Sequence, residues 1–359
     1  MQVNFLTSWD ERCGIAEYSR LLVEALRPRV EVELVPATFR ASPKTVYRAM
    51  GTALNGGDVA HVQHSYAFFG GMHPWRCGWP ALAGAVRRPL LVTVHELDLR
   101  PTGAYHLPPA LEIAYKRQFN RAVFLHPAVR HWFTHSEALR DALIDLGAPS
   151  ARVTYRPIPV ALPRQPLPDP APLRHRLRLE GKRVLVILGF LARRKGYDVA
   201  LQALRNLPPD VVLVAAGGEH AADRSGTAAW LRAEAERAGV ADRLLITGYL
   251  DESALEQATR LADVVVAPFR EMSASASLSF ALARGKAVVA SAVGENRSLD
   301  CVRLVPPGEP DALTQALQEV LQQPRLRAEL EARALAYASQ HSYLALGEET
   351  RALYDQLLK

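Results

Sequence analysis

The sequence holds little of what marks secreted, membrane-spanning or metal-dependent proteins. Its three cysteines, Cys13, Cys77 and Cys301, are widely spaced and odd in number. They make neither a disulfide framework nor a Cys-x-x-Cys metal pair, and they suit a reducing cytoplasm. No uninterrupted apolar run approaches the ~20 residues that a bilayer span needs. The opening MQVNFLTSWDERCG has acidic flanks and too short an apolar stretch for a signal segment, so it reads as a first strand. No Asp-x-Asp pair occurs, which argues against a diphosphate held on a metal ion. The first strand leads into SWDERCGIAEYS, without Gly-x-Gly-x-x-Gly, which disfavours a dinucleotide dehydrogenase.

What is present is an ordinary folding composition. At 49% hydrophobic and 22% charged, 359 residues suffice for two domains with a core each. The net charge of +6 is unevenly placed. Residues 1–180 carry 22 Lys and Arg against 15 Asp and Glu, whereas residues 181–359 carry 21 against 22. A basic half beside a neutral half points to an anionic partner, whether a charged acceptor, a membrane surface or nucleic acid. An arginine-rich composition with no partner behind it is the alternative.

Apolar strand-length runs alternate with helical patterns along the whole chain, the pattern of βαβ units and parallel sheets. The first half offers VNFLTSW, VEVELVPA, VAHVQHS, LLVTVHE, HWFTHS and RVTYRPIP as strands. Between them, GIAEYSRLLVEAL repeats its apolar residues Ile15, Tyr18, Leu22 and Leu26 at helical spacing. Ser136 and Gly147 stand where the caps of EALRDALIDL belong. Seven prolines in residues 157–172 then predict an extended linker. The pattern restarts with RVLVILGF, VVLVAAGG, RLLITGYL, VVVAPF, AVVASAV and RLVPP. Two doubly wound α/β sheets joined this way place a cleft at the carboxyl ends of their strands.

The most informative stretch is VVVAPFREMSASASLSFALARGKAVVAS, residues 264–291. An apolar strand runs into a loop with serine at 273, 275, 277 and 279, then into a helix and a second strand. Small residues at such a turn let a phosphate approach the backbone, and the helix start offers unpaired N–H groups. A related turn follows the first strand of the second half, where Gly189 and Gly196 bracket Arg193, Arg194 and Lys195. Cations there can neutralise a departing pyrophosphate. A solvated basic loop is the alternative, weakened by the serine loop at an equivalent strand end.

GFLARRKG, AAGGEH, ITGYLDESAL, VVVAPF, ALARGKAVVAS and LVPPGEPDAL occur in the order seen in retaining glycosyltransferases of family 4, which this chain resembles over nearly its full length. CGIAEYSRLLVEAL and TVHE are similar to that family's acceptor-side motifs. The resemblance implies an α/β fold of GT-B type, two Rossmann-like parallel-sheet domains facing across a cleft. It implies an acceptor domain over 1–160, a linker over 161–180, a nucleotide-sugar domain over 181–335, and a final helix over 336–359 returning to the first domain.

By the same resemblance, Lys195 matches the lysine on the donor diphosphate. The usual arginine partner falls at Phe190, so Arg193 or Arg194 would replace it. Gly14 matches the glycine that lets acceptor and transferring sugar approach, and His95 a histidine that contacts that sugar. A packed core role is the alternative for His95, and the stronger one for His61 and His64. The family's two glutamates, eight positions apart, fall at Met272 and Phe280. Phe280 accepts no hydrogen bond from a ribose. Glu271, one residue before the first place, would serve if the loop shifts, and Ser273, Ser275 and Ser277 would hold the diphosphate. This resembles a branch with a serine-rich loop in place of the glutamate pair.

Asp251, beside Tyr249, is a candidate for reading a guanine edge, with a plain helix N-cap as the alternative. Residues 66–80, YAFFGGMHPWRCGWP, either stack on sugars, dip into a membrane interface or pack as a buried loop. The expectation is therefore a cytoplasmic, metal-independent retaining hexosyltransferase, with peripheral contact at the inner membrane as a further hypothesis. Its donor would be a GDP- or UDP-linked sugar and its acceptor a polar or anionic glycan or lipid, with no cofactor and no nucleic acid. A nucleotide-sugar epimerase and a non-catalytic sugar-nucleotide-binding homologue are the alternatives.

Overall fold

Each of these apolar runs becomes a strand. In the computed structural model, which describes residues 1–10, 13–37, 42–103, 105–164, 166–219, 226–271 and 275–359, twelve strands form two six-stranded sheets among the described residues. Every strand pair between neighbours is parallel. The chain divides into two compact units, one of residues 1–159 and 343–359, the other of residues 160–342.

In the first unit the elements run β1 (Gln2–Thr7), α1 (Gly14–Leu26), β2 (Glu31–Pro36), α2 (Lys44–Ala53), β3 (Val59–His64), α3 (Trp79–Ala83), β4 (Leu90–Val94), α4 (Pro109–Phe124), β5 (Val129–Thr134), α5 (Glu137–Leu146) and β6 (Val153–Tyr155). The sheet order is β2-β1-β3-β4-β5-β6. Strands β3 and β4 are buried at every position, as a parallel sheet covered on both faces requires. Gly147 ends α5 with a positive φ of 115°, while Ser136 stands at its start without a side-chain capping bond.

The second unit opens with α6 (Ala171–Arg176) and continues β7 (Arg183–Leu188), α7 (Tyr197–Arg205), β8 (Val211–Ala216), α8 (Thr227–Arg237), β9 (Leu244–Ile246), α9 (Glu252–Leu261) and β10 (Val264–Ala267). It closes with α10 (Ala276–Leu282), β11 (Val288–Ser291), β12 (Arg303–Val305), α11 (Pro310–Gln322) and α12 (Pro324–Gln340). Its sheet order is β12-β11-β10-β7-β8-β9.

Two expected boundaries move. Residues 161–180 are not a free linker, because Leu173 and Leu179 are buried in the second unit's core and residue 160 already belongs to that unit. The returning helix begins at Tyr343 rather than 336, since α12 runs through Gln340 within the second unit. That helix, α13 (Tyr343–Leu357), packs on α1 and sinks Leu346 and Tyr354 among Val3, Phe5, Tyr18 and Leu22. Of the aromatic segment 66–80, Phe68, Phe69 and Trp79 are core residues of the first unit, whereas Trp75 is 76% exposed. No described helix is long and apolar enough to cross a membrane.

A buried charge cluster pins the segment that follows β4. The Lys116 ammonium donates to Asp98 Oδ2 at 2.8 Å and the Arg100 carbonyl at 2.5 Å, and lies 3.1 Å from Glu112 Oε1. Glu112 accepts from the Thr102 amide and hydroxyl, each at 2.8 Å, and from the Gly103 amide at 2.9 Å. Removing one partner from such a cluster leaves an uncompensated carboxylate. Lys116→Met therefore lowers the urea midpoint of unfolding sharply, and adding Glu112→Gln recovers part of that loss.

Candidate functional site

The strand order of the second unit puts its switch point between β7 and β10, from which the chain departs in opposite directions. Ligands of such sheets lie outside the carboxyl ends of those strands. The loops concerned are the turn from Gly189 to Gly196 and the segment leaving β10. Both glycines have positive φ, 86° and 69°, which a side chain would strain. A Cβ at Gly196 would stand 1.9 Å from the Pro268 carbonyl oxygen, so α7 begins against the segment leaving β10. The Arg270 amide donates to the Arg194 carbonyl at 2.9 Å and ties the two loops together.

This turn folds Lys195 back over the end of β7, where its ammonium donates to the Leu188 carbonyl. A Cβ at Gly189 would stand 2.9 Å from Lys195 Nζ and 3.7 Å from Ser277 Cβ, so lysine and serine flank the same glycine. Burial first, and then the nearby Arg194 charge, lower the Lys195 pKa to about 8. Ser275 caps α10, accepting from the Leu278 amide at 3.1 Å, and its hydroxyl is 3.0 Å from that of Ser277. Lys195, Ser275 and Ser277 thus share one strand-end neighbourhood. Ser273 and Met272 lie outside the described residues.

Of the arginines of the turn, one meets an aromatic ring. Arg193 lies over the Trp230 ring, 4.9 Å from its centroid. With Arg194, Trp230, Glu234 and Glu271, it borders a cavity of about 530 Å³, which the paired Arg270 and Asp198 also line. Trp230, on the first turn of α8, was not signalled by any motif. Phe190, where the resemblance would place an arginine, is 45% exposed.

Two further candidates resolve differently. Asp251 is the N-cap of α9, its Oδ1 accepting from the Ala254 amide at 2.8 Å, the bond that the capping alternative expects. Tyr249 beside it is 77% exposed. Phe280, where a ribose-reading glutamate is usual, packs instead against the guanidinium of Arg284, 3.4 Å from its ring centroid. Arg284 pairs with Glu256 at 2.8 Å, both almost fully buried.

In the first unit, Gly14 is the first residue of α1, and a Cβ there would meet none of the described residues within 4 Å. His95 follows β4, with Nε2 2.7 Å from Gln63 Oε1 and its ring edge-on to Tyr18, whose centroid is 5.3 Å away. His135 bonds the Tyr18 hydroxyl at 2.9 Å. Burial holds His61, His64 and His95 near pKa 3 and His135 near 4, so all four are neutral at physiological pH. His61 and His64 are core residues at 1% exposure each, and His64 Nδ1 has no partner among the described residues.

Solved structures similar over nearly the full chain include Anabaena HepE in complex with UDP, which is 16% identical, with 99% of this chain and 100% of that chain covered and a TM-score of 0.73. The fold is GT-B. A glycosyltransferase from Rickettsia africae aligns at a TM-score of 0.72 and 12% identity, covering 100% of this chain and 98% of that one. The family described as Glycosyl transferases group 1 matches residues 182–323, within the second unit. The D-inositol 3-phosphate glycosyltransferase of Xylanimonas cellulosilytica is 35% identical over 192 residues, 52% of this chain and 46% of that protein. The chain thus spans about half the length of this curated relative.

Gly189→Ala tests the geometry of the turn. The added methyl meets the mobile end of Lys195, so the ammonium is displaced while the fold bears mainly the φ strain, about 1–3 kcal/mol. The variant stays folded by circular dichroism, with a lowered melting temperature.

Proposed function

We propose that the chain is a retaining glycosyltransferase that moves a hexose from a nucleotide-diphosphate sugar to an acceptor hydroxyl, with Lys195 neutralising the leaving diphosphate. The observation that carries this reading is the placement of the Lys195 ammonium beside Gly189, with Ser277 close to the same glycine, at the β7/β10 switch point. The curated relative and the family matched over residues 182–323 support it. Ser275 and Ser277 supply hydroxyl donors, and Arg194 adds charge beside Lys195. Glu271 is assigned to the donor sugar and His95 to a hydroxyl of the transferred sugar. Asp251 Oδ1 serves as a helix cap, which leaves one acceptor fewer for a guanine edge, and UDP-linked donors are the ones proposed. The Anabaena neighbour has been solved with UDP-glucose, which agrees with this choice.

The proposed step forms a bond between the acceptor oxygen and the anomeric carbon while the bond from that carbon to the diphosphate breaks. The acceptor proton passes to an oxygen of the departing phosphate, on whose face attack occurs. No protein nucleophile is needed. The main catalytic contribution is electrostatic, a preorganised cation where negative charge develops. The excess of Lys and Arg in residues 1–180 suits a polar or anionic acceptor, a glycan or lipid headgroup.

A thermal-shift screen of UDP-, GDP-, ADP- and dTDP-sugars, followed by donor hydrolysis, tests the reading. A UDP-sugar raises the melting temperature and is hydrolysed slowly without acceptor. Silence from every nucleotide sugar favours a non-catalytic homologue, and a changed sugar nucleotide without acceptor favours an epimerase. Lys195→Ala lowers kcat by roughly 10²–10³. Because Lys195 is charged only below its pKa of about 8, donor affinity of the wild type weakens as pH rises through that value, and the Lys195→Ala profile is flat there.

Gly14→Ala separates fold from function. The lack of any described residue within 4 Å of a Cβ there predicts an unchanged melting temperature, with transfer to acceptor reduced at least tenfold where the acceptor approaches the backbone.

A further inference from the structure

Gln63, fully buried on β3, joins His95 to the interior of the first unit. Its Oε1 faces His95 Nε2 at 2.7 Å. Its amide nitrogen faces His61 Nε2 at 3.2 Å and the Thr93 hydroxyl at 3.4 Å. His61 Nε2 is 2.8 Å from that hydroxyl, and His61 Nδ1 is 2.6 Å from the Tyr354 hydroxyl on α13. A continuous chain of hydrogen bonds therefore runs from the last helix to His95.

The direction of this chain matters. An imidazole nitrogen facing a carbonyl oxygen must carry the proton, which leaves the other ring nitrogen bare. His95 Nδ1 has no partner among the described residues. We infer that Gln63 is a positioning residue that holds His95 neutral and in its Nε2–H tautomer, so that the bare Nδ1 accepts a hydrogen bond from a hydroxyl of the transferred sugar. This rests on the reading of His95 as a contact to that sugar.

The surroundings agree. Tyr18 of α1 faces the ring edge-on, His135 lies 6.4 Å away beyond β5, and His61 and His64 approach from β3. Burial and these three imidazoles all oppose a positive charge on His95. Glu96, next in sequence, is engaged by the Ser65 hydroxyl at 2.6 Å and the Tyr66 amide at 2.8 Å. Tyr343 of α13 stands behind Tyr18. A protonated Nδ1 would donate instead, and would select the opposite orientation of the sugar hydroxyl.

Long-range nitrogen–proton correlation spectra of the full chain read the tautomer directly. The expected result is a protonated Nε2 and bare Nδ1 on His95, unchanged as pH falls from about 8 to about 5. Gln63→Glu places a carboxylate on Nε2–H and stabilises the second proton. His95 then titrates within that range, and donor kcat/KM falls at least fivefold on its acid side while the wild type is flat. Gln63→Met, without the acceptor, lowers kcat/KM roughly three- to tenfold, an amount set by one hydrogen bond. An Nδ1–H tautomer in the wild type overturns the assignment, as does a Gln63→Glu variant with the wild-type spectrum and pH profile. The wild-type spectrum needs neither turnover nor a folded variant. A chain that turns over no donor thus refutes the proposed function, while the spectrum decides the role of Gln63.

Discussion

The second unit's site depends on one backbone constraint, the turn between Gly189 and Gly196. Both glycines occupy conformations that side chains resist, and together they reverse the chain so that Lys195 lies over the strand it has just left. Once that turn is set, α7 can begin only against Pro268, and the segment leaving β10 is drawn in through the bond from Arg270 to Arg194. Ser277 then comes close to the same glycine, Gly189. The lysine is held by a carbonyl rather than a carboxylate, so its charge is poorly compensated. That is the condition for binding an incoming diphosphate strongly, because no internal salt bridge must first be broken.

The first unit meets a different requirement. Its strand ends bring two neutral histidines, His95 and His135, against Tyr18, and the charges nearby are occupied elsewhere: Glu96 on Ser65, Asp98 and Glu112 on Lys116. Such a surface discriminates by the direction of hydrogen bonds rather than by charge, which suits hydroxyl groups of a sugar. Helix α13 contributes to it from the end of the chain, since Tyr354 anchors His61.

Much of this was legible in the sequence. The parallel sheets announced themselves because buried strands are continuous apolar runs, and VAHVQHS and LLVTVHE are buried along every strand residue. Lys195 and its bracketing glycines were readable because a tight turn leaves a composition signal. The proline-rich stretch misled, since proline density marks extended chain but says nothing of whether that chain packs, and Leu173 and Leu179 do. Trp230 was invisible because nothing local shows that a ring 37 positions on from Arg193 lies against that guanidinium. Gln63 was invisible for the same reason: its partners are joined by strand register, which places Gln63 opposite Thr93, and not by spacing in the chain.

The central claim is that Lys195 and Ser277 flank the place of the donor diphosphate. A crystal structure of the chain with an intact UDP-sugar addresses it most directly. The account predicts a phosphate oxygen within hydrogen-bond distance of Lys195 Nζ, with the diphosphate lying over Gly189. A diphosphate bound elsewhere in the second unit, with Lys195 still on the Leu188 carbonyl alone, would contradict it.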